Sequence, residues 1–475
     1  MSEQTHEAQL VVIGAGPGGY AAAFLAADLG MQVTLVDPEV NPGGVCLYRG
    51  CIPSKALLHV AKLVAESRLA AEWGVKYSEP KIDLDKLRGW KNSVVGKLTG
   101  GLGLLSKQRS VRYVQGTASF LDSQTLSVKL NAGGEEKLPF KRAIIATGSR
   151  PATLPGVPGN SARALDSTSA LDLADAPKSL LVVGGGYIGL ELGTVYAALG
   201  TKVSVVEMTD GLMPGADRDL VNVLAKRLEK EFQSVMLKTK VVEMKETEKG
   251  IRVKFEGEAA GGGSQTYDKV LISTGRKPNS EIAGLEKTKV VVGASGFIQV
   301  NLQRQTDDPS IYAIGDVAGE PMLAHKASHE GRAAVEAIAG HKVAFEPRAI
   351  PAVIFTDPEI AWCGLTETQA QKENRPVKVA KFPWAASGRA MTLGRTDGVT
   401  KLLIDPATER VLGVGIAGVG AGDLIAEGVL AIEMAALASD VALTIHPHPT
   451  LSETVMQAAE VFFGTSTDFY RPKKK

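Results

Sequence analysis

A glycine turn that occurs twice, each time followed by an acidic residue at the same distance, constrains this chain more than any other feature. The first copy runs from the apolar segment Leu10 to Ile13 through Gly14-x-Gly16-x-x-Gly19 and an alanine-rich stretch to "QVTLVD", ending on Asp37. The second runs from "SLLVVGGG" through Gly184-x-Gly186-x-x-Gly189 and "LELGTVYAALG" to "KVSVVE", ending on Glu207. In both copies the acid lies 23 positions after the first glycine. A strand, a tight turn and a helix are the context in which such glycines bind a dinucleotide. The first glycine permits the turn, the second lets backbone N–H groups approach a pyrophosphate at the helix start, and the third lets helix pack on strand. The acid is placed to accept from ribose hydroxyls. One such turn is weak evidence; two with matched spacing predict an α/β chain with two Rossmann-like units and two dinucleotides.

Length leaves room for more than these two units, since 475 residues correspond to three or four domains. The expected limits are a first nucleotide domain at 1–149, a second at 150–278, a central segment at 279–348 that completes the first site, and an α+β interface domain at 349–475. A net charge of +1 provides no field for nucleic acid or an anionic membrane. The uncharged run at residues 10–27 is long enough to raise a membrane span, but five Gly and Pro residues in its middle fit strand, turn and helix instead. The polar start "MSEQTHEAQL" resembles neither a secretory signal nor an organelle presequence, so the expected location is cytoplasmic.

The chain has three cysteines, and two of them, Cys46 and Cys51, stand close together in "GGVCLYRGCIPSK". Three cysteines cannot build a structural framework, which makes the pair a candidate redox centre. On a regular helix, residues five apart lie beyond the reach of a disulfide, so the pair needs an irregular turn, which Gly50 and Pro53 supply. From Pro53 the pattern is helical, with Leu57, Val60, Ala61 and Val64 on one face. Cys51 is then near a helix N-terminus, a position that favours thiolate. After Glu207 no Arg or Lys occurs before Arg218, so the second site favours NAD over NADP. The first site, followed at once by the thiols, suits a flavin.

The segment "GGVCLYRGCIPSK" resembles the redox-active disulfide segment of the pyridine nucleotide-disulfide oxidoreductases, and "HPHPTLSE" is similar to their acid-base motif. "RAIIATGSRP", "VLISTGRKPN" and "IYAIGDVAG" are similar to the family's strand ends against flavin and nicotinamide, and the likeness runs from about residue 8 to 465. The resemblance implies FAD at the first fingerprint, with Thr147, Gly148 and Asp316 beside it, and NAD at the second, with Gly275. It implies that Cys46 exchanges with a substrate dithiol, that Cys51 contacts the flavin, and that Lys55, paired with Glu191, sits near the flavin N5. His448 is the implied base and Glu453 its orienting carboxylate. On the residues alone, Thr450-x-x-Glu453 equally reads as a helix capping box, and the two roles are compatible. His446 reads as structural and Cys363 as a buried thiol. No metal ligands are assigned.

The implied reaction is flavin-dependent oxidation of a protein-bound dihydrolipoyl group with reduction of NAD. The implied assembly is a homodimer whose active site is shared across the interface. Its implied partners are the lipoyl and subunit-binding domains of 2-oxo acid dehydrogenase acyltransferases and the lipoyl protein of glycine cleavage. An NADPH-dependent reductase of the family would need cations after Glu207; a mercury-reducing member would need a C-terminal cysteine pair, and this chain ends "TDFYRPKKK". Another disulfide reductase or diaphorase of the family is the nearest alternative. A reading of a different class, a binding protein using the basic tail Lys473 to Lys475, is weaker because terminal lysines are usually solvated. The loop departs from the family's common Asn and Val at Tyr48 and Arg49, which leaves their effect on redox tuning open.

Overall fold

The computed structural model describes residues 8–154, 156, 161–259 and 263–470. The tail Lys473 to Lys475 lies outside the described residues. Both glycine turns sit where the sequence places them, each between the central strand of a parallel sheet and a helix. In the first sheet Ala8–Ile13 pairs in parallel with Val33–Asp37 on one side and Glu135–Ile145 on the other. Arg112–Asp122 extends one edge and Ile311–Ala313 the other, so a strand from the central segment closes the first unit. The strands Arg112–Asp122 and Glu135–Ile145 are long enough to leave the parallel sheet and form an antiparallel meander with Thr125–Leu130.

The second sheet is parallel throughout, in the order Ser234–Met236, Lys202–Val206, Ser179–Val183, Lys269–Ile272, Ala164–Leu165. Continuous apolar strands such as Leu10, Val11 and Val12, all at 0% exposure, reflect sheets covered on both faces. Between the two units run the antiparallel strands Ser149–Pro151 and Arg276–Pro278. The C-terminal region is a five-stranded antiparallel sheet, Ala352–Ile354 to Lys378–Pro383 in space. It is packed with the helices Ala421–Glu433 and Glu453–Phe463. This arrangement is the expected pair of Rossmann-like units with an α+β region.

The glycines divide by what they touch. A Cβ at Gly14 (φ +98) would lie 2.4 Å from the Ala146 carbonyl oxygen, and one at Gly184 (φ +105) 2.6 Å from that of Ser273. These two make the turn possible. At Gly19 a Cβ would lie 1.9 Å from the Gly14 oxygen, and at Gly189 2.4 Å from Ser273 Oγ, which is the close packing of helix on strand. The middle glycines differ: nothing lies within 4 Å of a Cβ at Gly186, and only Gly44 Cα, at 4.0 Å, near one at Gly16. Their missing side chains leave room for something other than the chain itself.

Candidate active site

The two thiols lie on separate helices. Gly44–Arg49 carries Cys46, and Cys51 is the first residue of Cys51–Leu69. Gly50, at φ −145 and ψ −111, breaks the helix between them, and a Cβ there would press to 2.9 Å on the Val45 oxygen. The second helix therefore begins two residues before the expected Pro53, which is tolerated within the first turn because its missing N–H has no helical partner there. Leu57, Ala61 and Val64 are buried as the pattern predicts, and Val60 is half-buried. Cys46 is half-buried, Cys51 is exposed, and both are free thiols.

A hydrogen bond from the Cys46 thiol, aided by Lys55, holds Cys51 down at about 7 from an ordinary 9.0, although the atoms around the sulfur partly desolvate it. The same bond, with burial, pushes Cys46 up. One sulfur is thereby prepared as a thiolate and the other as its proton-bearing neighbour. Lys55 Nζ lies 2.7 Å from Glu191 Oε2, the pairing the family resemblance implied. Glu191 is 3% exposed, and it also accepts from Ser54 Oγ at 3.1 Å and the Phe355 N–H at 2.9 Å.

A cavity of about 670 Å³ joins these thiols to the first fingerprint. Gly14, Gly16 and Asp37 line one part of it; Cys46, Cys51 and Lys55 line another. Thr147, Gly148, Glu191 and Asp316 complete the wall. Gly19 supports the turn from behind without lining the cavity. Gly184, Gly186, Gly189, Glu207 and Gly275 do not line it, although Tyr187 and Arg276, each adjacent to one of them, do. The second fingerprint thus opens beside the first cavity.

The two acids behave alike. Asp37 Oδ2 accepts from the Ala15 N–H at 2.6 Å and Oδ1 from that of Glu39 at 2.9 Å. Glu207 Oε2 accepts from the Gly185 N–H at 2.7 Å and Oε1 from that of Thr209 at 2.8 Å. Each carboxylate is fixed against its glycine turn with lone pairs left for ribose hydroxyls. Neither fingerprint helix has a side-chain cap, so their first N–H groups remain available to an anion. With the open space at Gly16 and Gly186, these residues fit a dinucleotide at each turn. Arg218, the first cation after Glu207, spends its guanidinium on the Leu212 and Ala216 carbonyls at 2.7 and 3.2 Å. It offers nothing to a 2'-phosphate.

Four features were not anticipated. Arg276 Nε donates to Ser149 Oγ at 2.7 Å, and Ser149 Oγ donates to Asp316 Oδ2 at 2.5 Å, linking the connecting strands to the cavity wall. Glu330, at 0% exposure, accepts from the Gly315 N–H at 2.6 Å and pairs with Arg304 at 2.9 Å and Lys326 at 3.1 Å, fixing the turn that carries Asp316. Tyr187, the first residue of the second fingerprint helix, lines the thiol cavity. A cluster of Asp217, Asp219 and Glu367 has metal-like spacing, but Lys401 fills it at 2.7, 2.7 and 2.8 Å.

His448 lies apart from all of this. It is 78% exposed, does not line the thiol cavity, and its Nδ1 is 2.9 Å from Glu453 Oε1. Glu453 Oε2 accepts from the Thr450 N–H at 2.6 Å, so one carboxylate holds both the imidazole and the helix entrance. The capping box is only half formed, because Thr450 Oγ1 donates to the Pro447 carbonyl at 2.8 Å instead of accepting from the helix. His446 is held between the Thr444 carbonyl and Glu427, both at 2.8 Å, in a structural setting. Cys363 is buried.

Residues 8–331 match the model of the pyridine nucleotide-disulphide oxidoreductases, and residues 350–459 match that family's dimerisation domain. The chain belongs to this family. Among the relatives of this oxidoreductase is the dihydrolipoyl dehydrogenase of Haemophilus influenzae, 51% identical over 98% of this chain and 97% of that one. Another is that of Geobacillus stearothermophilus, 47% identical over 97% of each. The solved structure of LpdA from Mycobacterium tuberculosis is similar with a TM-score of 0.89 at 26% identity, covering 96% of this chain and 99% of that one. The flavoprotein disulfide reductase RclA of Escherichia coli, as its Cu(II) complex, matches with a TM-score of 0.85 at 26% identity, over 96% of this oxidoreductase and 99% of that chain. The dimerisation-domain match supports a homodimer. Among the described residues, no helix is long and apolar enough to cross a membrane.

Proposed function

We propose that this oxidoreductase converts a protein-bound dihydrolipoyl group to its cyclic disulfide and delivers the electron pair to NAD. FAD, when bound, supplies the two-electron acceptor beside Cys51, and NAD supplies the final hydride acceptor. The unequal thiol pair carries the reading: Cys51 is held at about 7 while Cys46 is pushed up, within a cavity reaching the first glycine turn. Starting from the Cys46–Cys51 disulfide, a substrate thiolate attacks Cys46 and releases Cys51 as a thiolate, which its surroundings favour. The second substrate thiolate then attacks the mixed disulfide, forms the cyclic substrate disulfide and releases Cys46. The substrate loses two electrons and two protons. His448 takes a thiol proton, and Glu453 holds the resulting imidazolium.

Residues 1–149 and 279–348 form the flavin side in this reading, 150–278 the NAD side and 349–475 the interface. Lys55, Glu191, Thr147, Gly148 and Asp316 position the flavin, with Gly275 on the nicotinamide side. Glu207 and the occupied Arg218 favour NAD over NADP. The dimer sets His448 of one chain against the thiols of the other. Lipoyl domains bring the substrate, the acyltransferase subunit-binding domain provides the dock, and the lipoyl protein of glycine cleavage is a further client. A cytoplasmic site of action belongs to the same reading.

An anaerobic titration tests the reaction. Dihydrolipoamide should raise a long-wavelength thiolate-flavin band and support NAD reduction, whereas glutathione and NADP should not; an equal response to glutathione would refute the substrate assignment. Co-expression tests the shared site. Cys46→Ala and His448→Gln homodimers should be nearly inactive, and their random mixture should recover about a quarter of normal activity, since half the dimers are hybrids with one intact site of two. No recovery would place His448 and the thiols in the same chain.

A further inference from the structure

Tyr48 and Arg49 sit inside the cysteine loop, yet the structure turns both away from the thiols. The Tyr48 hydroxyl accepts from the Asn41 N–H at 3.2 Å and donates to the Asn41 carbonyl at 3.0 Å. It staples the helix Gly44–Arg49 to the loop that leaves the strand Val33–Asp37. Arg49 is ion-paired with Glu39 and lies 5.9 Å from the Tyr48 ring centroid. Arg49, Glu39 and Asp37 line the same cavity as Gly14 and Gly16, and Asp37 accepts from the Ala15 N–H within that turn. The loop is fixed further by Tyr113 Oη, which donates to the Glu39 carbonyl at 3.0 Å, and by Asn131 Nδ2, which donates to that of Pro38 at 2.6 Å.

The electrostatics follow from that placement. A groove built for a dianionic pyrophosphate carries two carboxylates, Asp37 and Glu39, and Arg49 is the cation set against them. Burial pushes the Asp37 carboxyl up, and the Ala15 N–H and Arg49 pull it back down. The charges acting most strongly are those of Cys51 and Lys55 on Cys46, and those of Lys55 and Glu191 on Cys51.

We propose that Arg49 is a positioning residue of the flavin seat: it neutralises Glu39 and Asp37 where the adenosine half of the dinucleotide is held, and it does not tune the thiols. The proposal rests on the first fingerprint being the FAD site. Glu39 is useful there only with its cation. Alone it repels the phosphates; paired with Arg49 it orders the loop.

FAD release from the purified holoenzyme tests this, followed as the rise in free-flavin fluorescence after dilution into mild chaotrope. Arg49→Val should release FAD roughly five-fold faster, the scale of one partly exposed ion pair, and the difference should shrink as salt rises. Arg49→Lys should return to within about two-fold, and Arg49→Val with Glu39→Gln should release more slowly than Arg49→Val alone. Glu39→Gln alone, which loses the loop contact but leaves no carboxylate without its cation, should release FAD more slowly than Arg49→Val. The pH midpoint for alkylation of Cys51 should be the same in all four. Unchanged release in Arg49→Val, no relief by Glu39→Gln, or a displaced Cys51 midpoint would each overturn the proposal. A holoenzyme that behaves as expected here but ignores dihydrolipoamide would fail the functional reading alone.

Discussion

Replacing Cys46 by alanine should move the titration of Cys51 by more than any other single change. The hydrogen bond from the Cys46 thiol is the largest influence drawing Cys51 from 9.0 to about 7, with Lys55 contributing in the same direction and partial desolvation of the sulfur opposing both. Alanine removes the bond and leaves Lys55 2.7 Å from its partner Glu191. The Cys51 midpoint should then settle at roughly 8 to 9, so that the thiolate share at pH 7 falls from about one half to roughly 1–10%. As pH rises, thiolate accumulates; the variant displaces the whole curve toward alkali. Alkylation by iodoacetamide across pH 5 to 10 reads this directly on the reduced protein. The midpoint is the proper readout, because a higher-pKa thiolate is intrinsically more nucleophilic and partly masks the loss of rate. Cys46→Ser, whose hydroxyl still donates, should fall between. A Cys46→Ala midpoint that stays near 7 would refute the argument and assign the depression to Lys55 and the helix start.

Glu453→Gln should lower turnover with dihydrolipoamide by roughly 10²-fold while leaving bound flavin nearly unchanged, because the amide can accept from only one of His448 and the Thr450 N–H and loses the counter-charge of the imidazolium. Lys401→Met should cost about 3–5 kcal/mol in urea unfolding, since Lys401 is 1% exposed and its loss leaves Asp219 and Glu367 sharing Lys381 and strips Asp217 of its ion pair. Burial raises Asp217 and Asp219, but Lys401, joined at Asp217 by the Glu367 and Thr368 N–H groups and at Asp219 by Lys381, outweighs it and holds both below 3.8, so their contribution is present above that pH and lost as pH falls through the lowered values. Acid unfolding of Lys401→Met should therefore begin at higher pH. Gly184→Ala, strained at φ +105 and pressed to 2.6 Å on Ser273, should lower the melting temperature sharply. Gly186→Ala meets nothing within 4 Å and should melt normally but raise KM for NAD.

That last contrast explains what a sequence can disclose. Gly14, Gly16, Gly19 and Asp37 were legible because strand, turn and helix fix their spacing locally, and the second copy repeats it. The Lys55 pairing with Glu191 joins residues 136 positions apart, and only the resemblance connected them. The start of the thiol helix was misplaced by two residues because Pro53 reads as a beginning, whereas the Gly50 break sets Cys51 as the first helical residue. Composition gives no warning of Glu330: a polar residue in "HKASHEGR" looks solvated, and only the convergence of Arg304, Lys326 and Gly315 makes its 0% exposure tolerable. The same limit hid the run from Arg276 through Ser149 to Asp316, which ties three separated segments by two hydrogen bonds.

Glu453 shows why competing local and catalytic readings need not be rivals. A capping glutamate must aim one oxygen back at the backbone before its helix, and here that oxygen accepts from the Thr450 N–H at 2.6 Å. Fixing one oxygen fixes the other, and the second meets His448 Nδ1 at 2.9 Å. An imidazole 78% exposed has no packing of its own to orient it. Its direction is inherited from the start of the helix Glu453–Phe463, whose buried Val455, Ala458 and Ala459 anchor it to the sheet of the interface region. The position of His448 is therefore set by the hydrophobic core of the C-terminal region, and the thiols are positioned independently by the Gly50 break.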